Sequence, residues 1–339
     1  MMPLVSAHSS QLEPFVRSIA CLFPAVKPNG EMQFLHNCGG FSGACLWRVE
    51  AMNGWLCLRA WPPRQSLDDH LSTVHHLMEK ARAAGLSFVP TVERLSTGET
   101  FVLQFDRFWD MTQWMPGRAD FHAAPYPHRL ARACGALAHL HQTWKPTLPS
   151  AFPCPAIRRR SQKCQEWADL VAMGWRPAYL REPEDPCSAT AKRAWSLLQI
   201  WMNKLPAMLA PWKERKVPVQ PCHCDLWHDH VHFEHDEVVA LLDYGSVKTD
   251  HVAVDLARLL GSMAGDDQAL WAAGLAGYRM VRPLVAEEET LVHVLDRTGT
   301  VLALATWLKW LYYEARIFPD REAVARRLAG LVNRVESWT

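Results

Sequence analysis

The sequence predicts an α+β protein of two lobes, a small antiparallel β-sheet lobe followed by a larger, mainly helical one. Three observations carry this. The chain has 339 residues, 49% hydrophobic and 21% charged, the balance of a globular protein with a sizeable core, and at about 100 to 200 residues per domain its length suits two lobes. Strand-like apolar runs separated by turn residues fill the stretch from Glu31 to Gln104, and helical periodicity dominates beyond a Pro-Gly breaker, Trp114-Met115-Pro116-Gly117. The expected division is an extension at 1–27, a first lobe at 28–115 and a second at 116–339.

Taken in order, FLHNCGGFSGACLWRV is an apolar run broken at Gly39, Gly40 and Gly43, followed by a turn signal at Asn53-Gly54 and then WLCLRAW. A helix is predicted over Ser66–Ala84: Ser66 as cap, Asp68 and Asp69 at its positive end, Leu67, Leu71, Val74 and Met78 at helical spacing, and Gly85 as its stop. FVPTVERL and ETFVLQFDRF read as strands about a turn at Thr97-Gly98. After the breaker, His128–Trp144 aligns Leu130, Cys134, Leu137 and His141 on one helical face, and Ser188–Leu205 repeats the pattern until Pro206. One segment interrupts the helices: PVQPCHCDLWHDHVHFEHDEVVALLDYGSV reads as loop, short strand, turn at His235-Asp236 and apolar strand. Helices resume near Val254.

Lys plus Arg number 36 and Asp plus Glu 35, a net charge of +1, so no general field draws nucleic acid or anionic membrane, and neither is expected as a partner. The start, MMPLVSAHSSQLEPF, lacks a basic n-region and a signal-length apolar stretch, and no run approaches roughly 18 apolar residues. A cytoplasmic protein is the expectation. The 10 cysteines are scattered, with one close pair at Cys222 and Cys224, and are expected to be reduced thiols.

Chemistry concentrates between His223 and Gly245, which holds His223, Asp225, His228, Asp229, His230, His232 and Asp243. A carboxylate ending an apolar strand, as Asp243 does, is costly unless paired or bound to a cation. Asp225 and Asp243 suit phosphoryl transfer, in which one carboxylate orients the attacking hydroxyl and another holds the metal that clamps the nucleotide phosphates.

HCDLWHDHVHF and LLDYGSVKTDHVAVDLARLL together resemble the catalytic loop, metal triplet and downstream Asp-Leu-Ala of the aminoglycoside phosphotransferase and choline kinase superfamily. The resemblance runs from about residue 30 to 335. It implies a protein-kinase-like fold and an ATP- or GTP-dependent kinase that uses magnesium or manganese. Its acceptor would be a small-molecule hydroxyl, aminoglycoside-like or amino-alcohol, in a family that spans antibiotics, choline, ethanolamine, homoserine and sugars. It implies Asp225 as the group that orients the acceptor, His223 as its loop partner, Asp243 as the metal ligand and Asp255 as a buried acceptor for loop amides. Gly39, Gly40, Ser42 and Gly43 resemble the nucleotide loop, and Arg59 stands where the family has its phosphate-pairing Lys. Glu79, the only Glu on the following helix, is its candidate partner. Met115 lies in the connector that hydrogen-bonds adenine, and Ala136–His141 in the long helix that follows. His230 departs from the pattern, standing where the family has a metal-binding Asn, with Asp229 beside it as a substitute oxygen donor.

Two alternatives remain from the residues themselves. His228, Asp229, His230 and His232 could ligate zinc in a metal-dependent hydrolase, and Arg59 with His230 could mark a catalytically silent nucleotide-binding protein. The run Arg158–Arg160 reads as a solvated face. Trp307, Trp310, Tyr312 and Tyr313 read as helix core or a cation-binding wall.

Overall fold

The computed structural model describes residues 15–35, 43–63, 67–148, 150–178, 185–318 and 320–338. They divide into two compact units: residues up to Asp120 with Asp229–Gly245, and Phe121–His228 with Ser246 onward. Among the described residues no helix is long and apolar enough to cross a membrane.

In the first unit, β1 (Met32–Leu35), β2 (Cys45–Ala51), β3 (Gly54–Ala60), β4 (Phe101–Gln104) and β5 (Arg107–Gln113) form an antiparallel sheet in the order β1-β2-β3-β5-β4. The β2–β3 hairpin closes with Ala51 opposite Gly54, whose φ of +113° is open to glycine. Strand alternation buries Trp47, Val49, Leu56, Leu58, Trp109 and Met111 on one face, and Ile19 and Phe23 pack against the same cluster. Each such side chain contributes about 1.5–3 kcal/mol on burial.

The strand expected at FVPTVERL does not form. Only Val92 bridges Thr112, with Thr91 O and Glu93 N–H bonded to β5, because Pro90 brings no N–H to a ladder. The hairpin sits within ETFVLQFDRF, turning at Phe105 and Asp106, both at positive φ, which matches the twist of paired strands. Helix α1 (Asp68–Ala83) buries Leu71, Val74, Leu77 and Met78 and is followed by Gly85 at φ +86°; Ser66 lies outside the described residues. The hairpin β8 (Val231–Glu234) and β9 (Glu237–Leu241) turns at His235. Leu241 N–H bonds Phe88 O, and Phe233 exchanges two backbone bonds with Arg118. That approach needs Gly117, where a Cβ would stand 2.5 Å from Val239 and 2.8 Å from Phe233 O.

The second unit holds α2 (Pro127–Trp144), α3 (Pro155–Ala172), α4 (Ser188–Trp201), α5 (Leu205–Leu209), α6 (Ala253–Met263), α7 (Gln268–Arg279), α8 (Ala286–Tyr312) and α9 (Arg321–Glu336). Its sheet runs β10 (Lys248–Asp250), β7 (Lys216–Cys222), β6 (Ser150–Pro153). Helix α2 buries Leu130, Cys134, Leu137 and His141 as its spacing requires. The start of the PVQPCHC segment is strand rather than loop. Its prolines are tolerated because β7 pairs with β6 through Lys216–Val219 and with β10 through Gln220–Cys222, leaving one side of each half unpaired. The helix expected to run to Leu205 ends at Trp201, and Pro206 sits in the first turn of α5, where its missing N–H does no harm.

Of the run Arg158–Arg160, Arg158 is exposed as expected, whereas Arg159 and Arg160 are partly buried and bonded within the fold. Arg159 pairs with the buried Asp250, and Arg160 donates to Leu295 O and, at 2.6 Å, to Thr298 Oγ1. Burial pulls the Arg160 pKa down to about 10. Trp307 is buried against Trp310 and Phe318, whereas Tyr313 is half exposed.

Candidate active site

In the second unit β7 ends at Cys222 and delivers His223, Cys224 and Asp225. Asp255, in the first turn of α6, is fully buried. Its carboxylate accepts from His223 N–H at 2.7 Å and Cys224 N–H at 2.5 Å, with His141 Nε2 at 3.0 Å, which offsets the cost of burying it. Cys224 is thereby held at φ +65°, where a side chain is disfavoured. The buried His223 accepts the Asp225 N–H on Nδ1 at 3.4 Å, so it shapes the loop. Arg258, one turn along α6 from Asp255, donates Nε to Asp225 Oδ1 at 3.2 Å, and the Asp225 side chain is 42% exposed.

In the first unit, Asp243 follows β9 at φ +60°, a conformation that Asp tolerates. Arg59 on β3 places Nη1 3.4 Å from Asp243 Oδ1, and His230 places Nε2 3.7 Å from Oδ2. Leu242 N–H bonds His230 O, joining the two loop segments. The Arg59 guanidinium lies 4.8 Å over Trp61, and Trp61 closes on Gly245, where a Cβ would be 2.8 Å from the indole. His70 Nε2 sits 3.0 Å from Gly245 O. Burial alone would lower the Arg59 pKa, but Asp110 and Asp243 outweigh it and raise it, keeping the guanidinium charged.

Glu79 is not the partner of Arg59. It pairs with Arg94, while the acidic neighbours of Arg59 are Asp110 and Asp243. Helix α1 reaches this region through His75, whose Nε2 is 3.0 Å from Asp110 Oδ2 and whose Nδ1 is 2.7 Å from Thr100 Oγ1. Asp110, His75 and Arg258 were not singled out from the sequence, although Asp110 carries the signal that marked Asp243, a lone carboxylate in an apolar strand.

The Met115 side chain is buried, and the neighbouring Trp114 N–H bonds Trp55 O. Gly43 has φ +79°; Gly39, Gly40 and Ser42 lie outside the described residues. Asp229 is exposed, and His232 Nδ1 sits 3.2 Å from Pro116 O. Among the described residues the one set of three or more His, Cys, Asp or Glu ligand atoms within 4.8 Å is His141, Cys222 and Asp255, already bonded within the loop scaffold. His228, Asp229, His230 and His232, the alternative zinc ligands, form no such set among the described residues.

The oxygens of Asp243 suit a hard divalent cation, and the His230 imidazole beside them suits manganese better than magnesium.

A family model, Phosphotransferase enzyme family, matches residues 39–287. The homoserine kinase of Methylobacterium radiotolerans is 30% identical over 182 residues, 52% of this chain and 50% of that protein. The homoserine kinase of Paramagnetospirillum magneticum is 31% identical over 149 residues, 41% of this chain and 44% of that protein. The chain thus spans about half the length of the curated relatives it matches. Among solved structures, spectinomycin phosphotransferase in complex with ADP and spectinomycin superposes with a TM-score of 0.66 at 8% identity, over 96% of this chain and 97% of that one. That likeness shows the kinase-like fold of these phosphotransferases. With the family model covering most of its length, the chain belongs to the phosphotransferase enzyme family.

Proposed function

We propose that this chain is an ATP-dependent phosphotransferase acting on a hydroxyl of a small molecule. The observation that carries the reading is the matched state of two carboxylates. Asp225 and Asp243 each end a strand-to-loop segment, each is about half exposed, and each is held by one arginine, Arg258 and Arg59. Phosphoryl transfer depends on positioning and charge, with one carboxylate for the acceptor and one for the donor side. Asp225, fixed through His223 and Asp255, orients the acceptor hydroxyl and takes its proton. Asp243, with His230 beside it, would hold the divalent cation, which neutralises phosphate charge when bound with the nucleotide. Arg59 faces the phosphates as a fork of donors.

The acceptor is an amino-alcohol or hydroxy amino acid; the homoserine kinases among the relatives favour this class over a bulky antibiotic. ATP is the donor of choice and GTP the competitor. A thermal-shift screen of nucleotides with magnesium or manganese, followed by an acceptor panel read by nucleotide consumption, tests the reading. ATP with a cation should raise the unfolding temperature, on the order of 2.7 kcal/mol of stabilisation at 100 times Kd. No stabilisation by any nucleotide would refute it.

A further inference from the structure

We propose that Asp110 is the positioning residue for Arg59, fixed in turn by His75, so that a β-strand aspartate anchors this guanidinium. The inference rests on the phosphotransferase reading above and adds Asp110 and His75, which that reading does not use.

Asp110 lies directly opposite Arg59 in the β3–β5 register, so both side chains leave the same face of the sheet. Its side chain is only 5% exposed. One carboxylate oxygen, Oδ2, faces His75 Nε2 at 3.0 Å. The other, Oδ1, is buried without a hydrogen-bond partner, a state that native interiors avoid unless a partner arrives. Arg59 is the cation that interacts with this carboxylate from the neighbouring strand. Its contact with Asp243 is long, at 3.4 Å, and Asp243 is half exposed.

Arg59 is therefore attracted by a buried carboxylate on the neighbouring strand and bonded to an exposed one. When a cation occupies Asp243, the attraction that draws Arg59 toward Asp243 is cancelled. Asp110 then retains it, with Oδ1 as the vacant acceptor. A guanidinium has five donors in a fixed fork and can hold one carboxylate while facing another anion; an ammonium on a flexible stem is poorly suited to both. This accounts for Arg at this position, for the diversion of Glu79 to Arg94 and for the tie between α1 and β5 through His75.

The test compares binding of magnesium with a non-hydrolysable ATP analogue, by calorimetry, for wild type, Asp110→Asn, Arg59→Lys and the double variant. Unfolding midpoints of the nucleotide-free proteins are measured alongside. Asp110→Asn should weaken binding about 10-fold, and the double variant should bind no worse than Arg59→Lys alone, the signature of coupled neighbours. His75→Gln, which keeps a donor for Oδ2, should bind near wild type, whereas His75→Leu should resemble Asp110→Asn. Multiplying effects in the double variant, or a folded Asp110→Asn with wild-type affinity, would overturn the proposal. If Asp110→Asn does not fold, the two His75 variants decide: equal affinity in both overturns it. If wild type binds no analogue, the phosphotransferase reading fails, and the unfolding midpoints judge the pair. Non-additive shifts for Arg59→Lys and Asp110→Asn then uphold the anchoring, and additive shifts overturn it.

Discussion

Arg59 and Asp243, 184 positions apart, face each other with Nη1 3.4 Å from Oδ1, one on a strand of the N-terminal sheet and one just beyond the β8–β9 hairpin. The contact brings an always-charged group beside the carboxylate that we propose binds the cation. It also leaves the second oxygen of Asp243 toward His230.

Asp243→Ala should weaken nucleotide binding in magnesium by about 100-fold or more, because a single carboxylate carries the cation on this reading. Calorimetry with and without the cation checks it. The variant should bind equally weakly in both, and retained metal dependence would move the role elsewhere.

Asp225→Asn should bind nucleotide near wild type yet turn over about 100-fold or more slowly, the scale of a positioned general base. The amide can still accept from Arg258, so the loop geometry survives. A rate within a few-fold of wild type, with the true acceptor, removes Asp225 from the chemistry.

His230→Asn replaces a nitrogen donor with an amide oxygen beside Asp243. Magnesium prefers oxygen, and manganese accepts imidazole more readily, so the wild-type protein should favour manganese and the variant should narrow that advantage. Metal titrations of the wild type, His230→Asn and Asp229→Ala separate the two donors. An unchanged preference in His230→Asn together with a collapse in Asp229→Ala assigns the role to Asp229.

Stability should fall in two pH windows. Burial lowers the pKa of His141 below its ordinary value despite the opposing pull of Asp255. Protonation therefore favours the unfolded chain, and stability is lost as pH drops below about 6.5, by at most about 1.4 kcal/mol per pH unit from this residue. Glu288 behaves as the usual carboxylate does: burial would raise its pKa, but His251 and Arg282 bring it down to about 2. Its contribution is present above the unfolded Glu range and is lost as pH falls toward 2. Urea unfolding from pH 8 to 3 should show both losses. His141→Gln should flatten the upper one, and an unchanged slope there would place the sensitivity elsewhere.

Much of the fold was legible because its signals are local. Short apolar runs bounded by turn residues mark β2, β3 and β9, Asn53-Gly54 marks a hairpin, and three-to-four spacing marks α1 and α2 within a residue or two of their ends. The errors lie where a local rule competed with distant pairing. Pro218 and Pro221 argued for a loop, yet β7 forms because two different strands pair with its two halves.

The candidate site divides in the same way. The sequence by itself determined which residue types stand in His223–Asp225, in Asp243-Tyr244-Gly245 and at Asp255, because catalytic loops are short contiguous segments whose chemistry depends on residue order. Tertiary structure alone decided their neighbours. The β3–β5 register sets Asp110 against Arg59, α1 turns His75 toward that carboxylate and leaves Glu79 to Arg94, and α6 brings Arg258 to Asp225. Each of these pairs joins residues 15 to 51 positions apart. A charged side chain in sequence specifies what it can bond; which partner it meets depends on strand register and helix docking, set by burial of the apolar faces on the other side of the same elements.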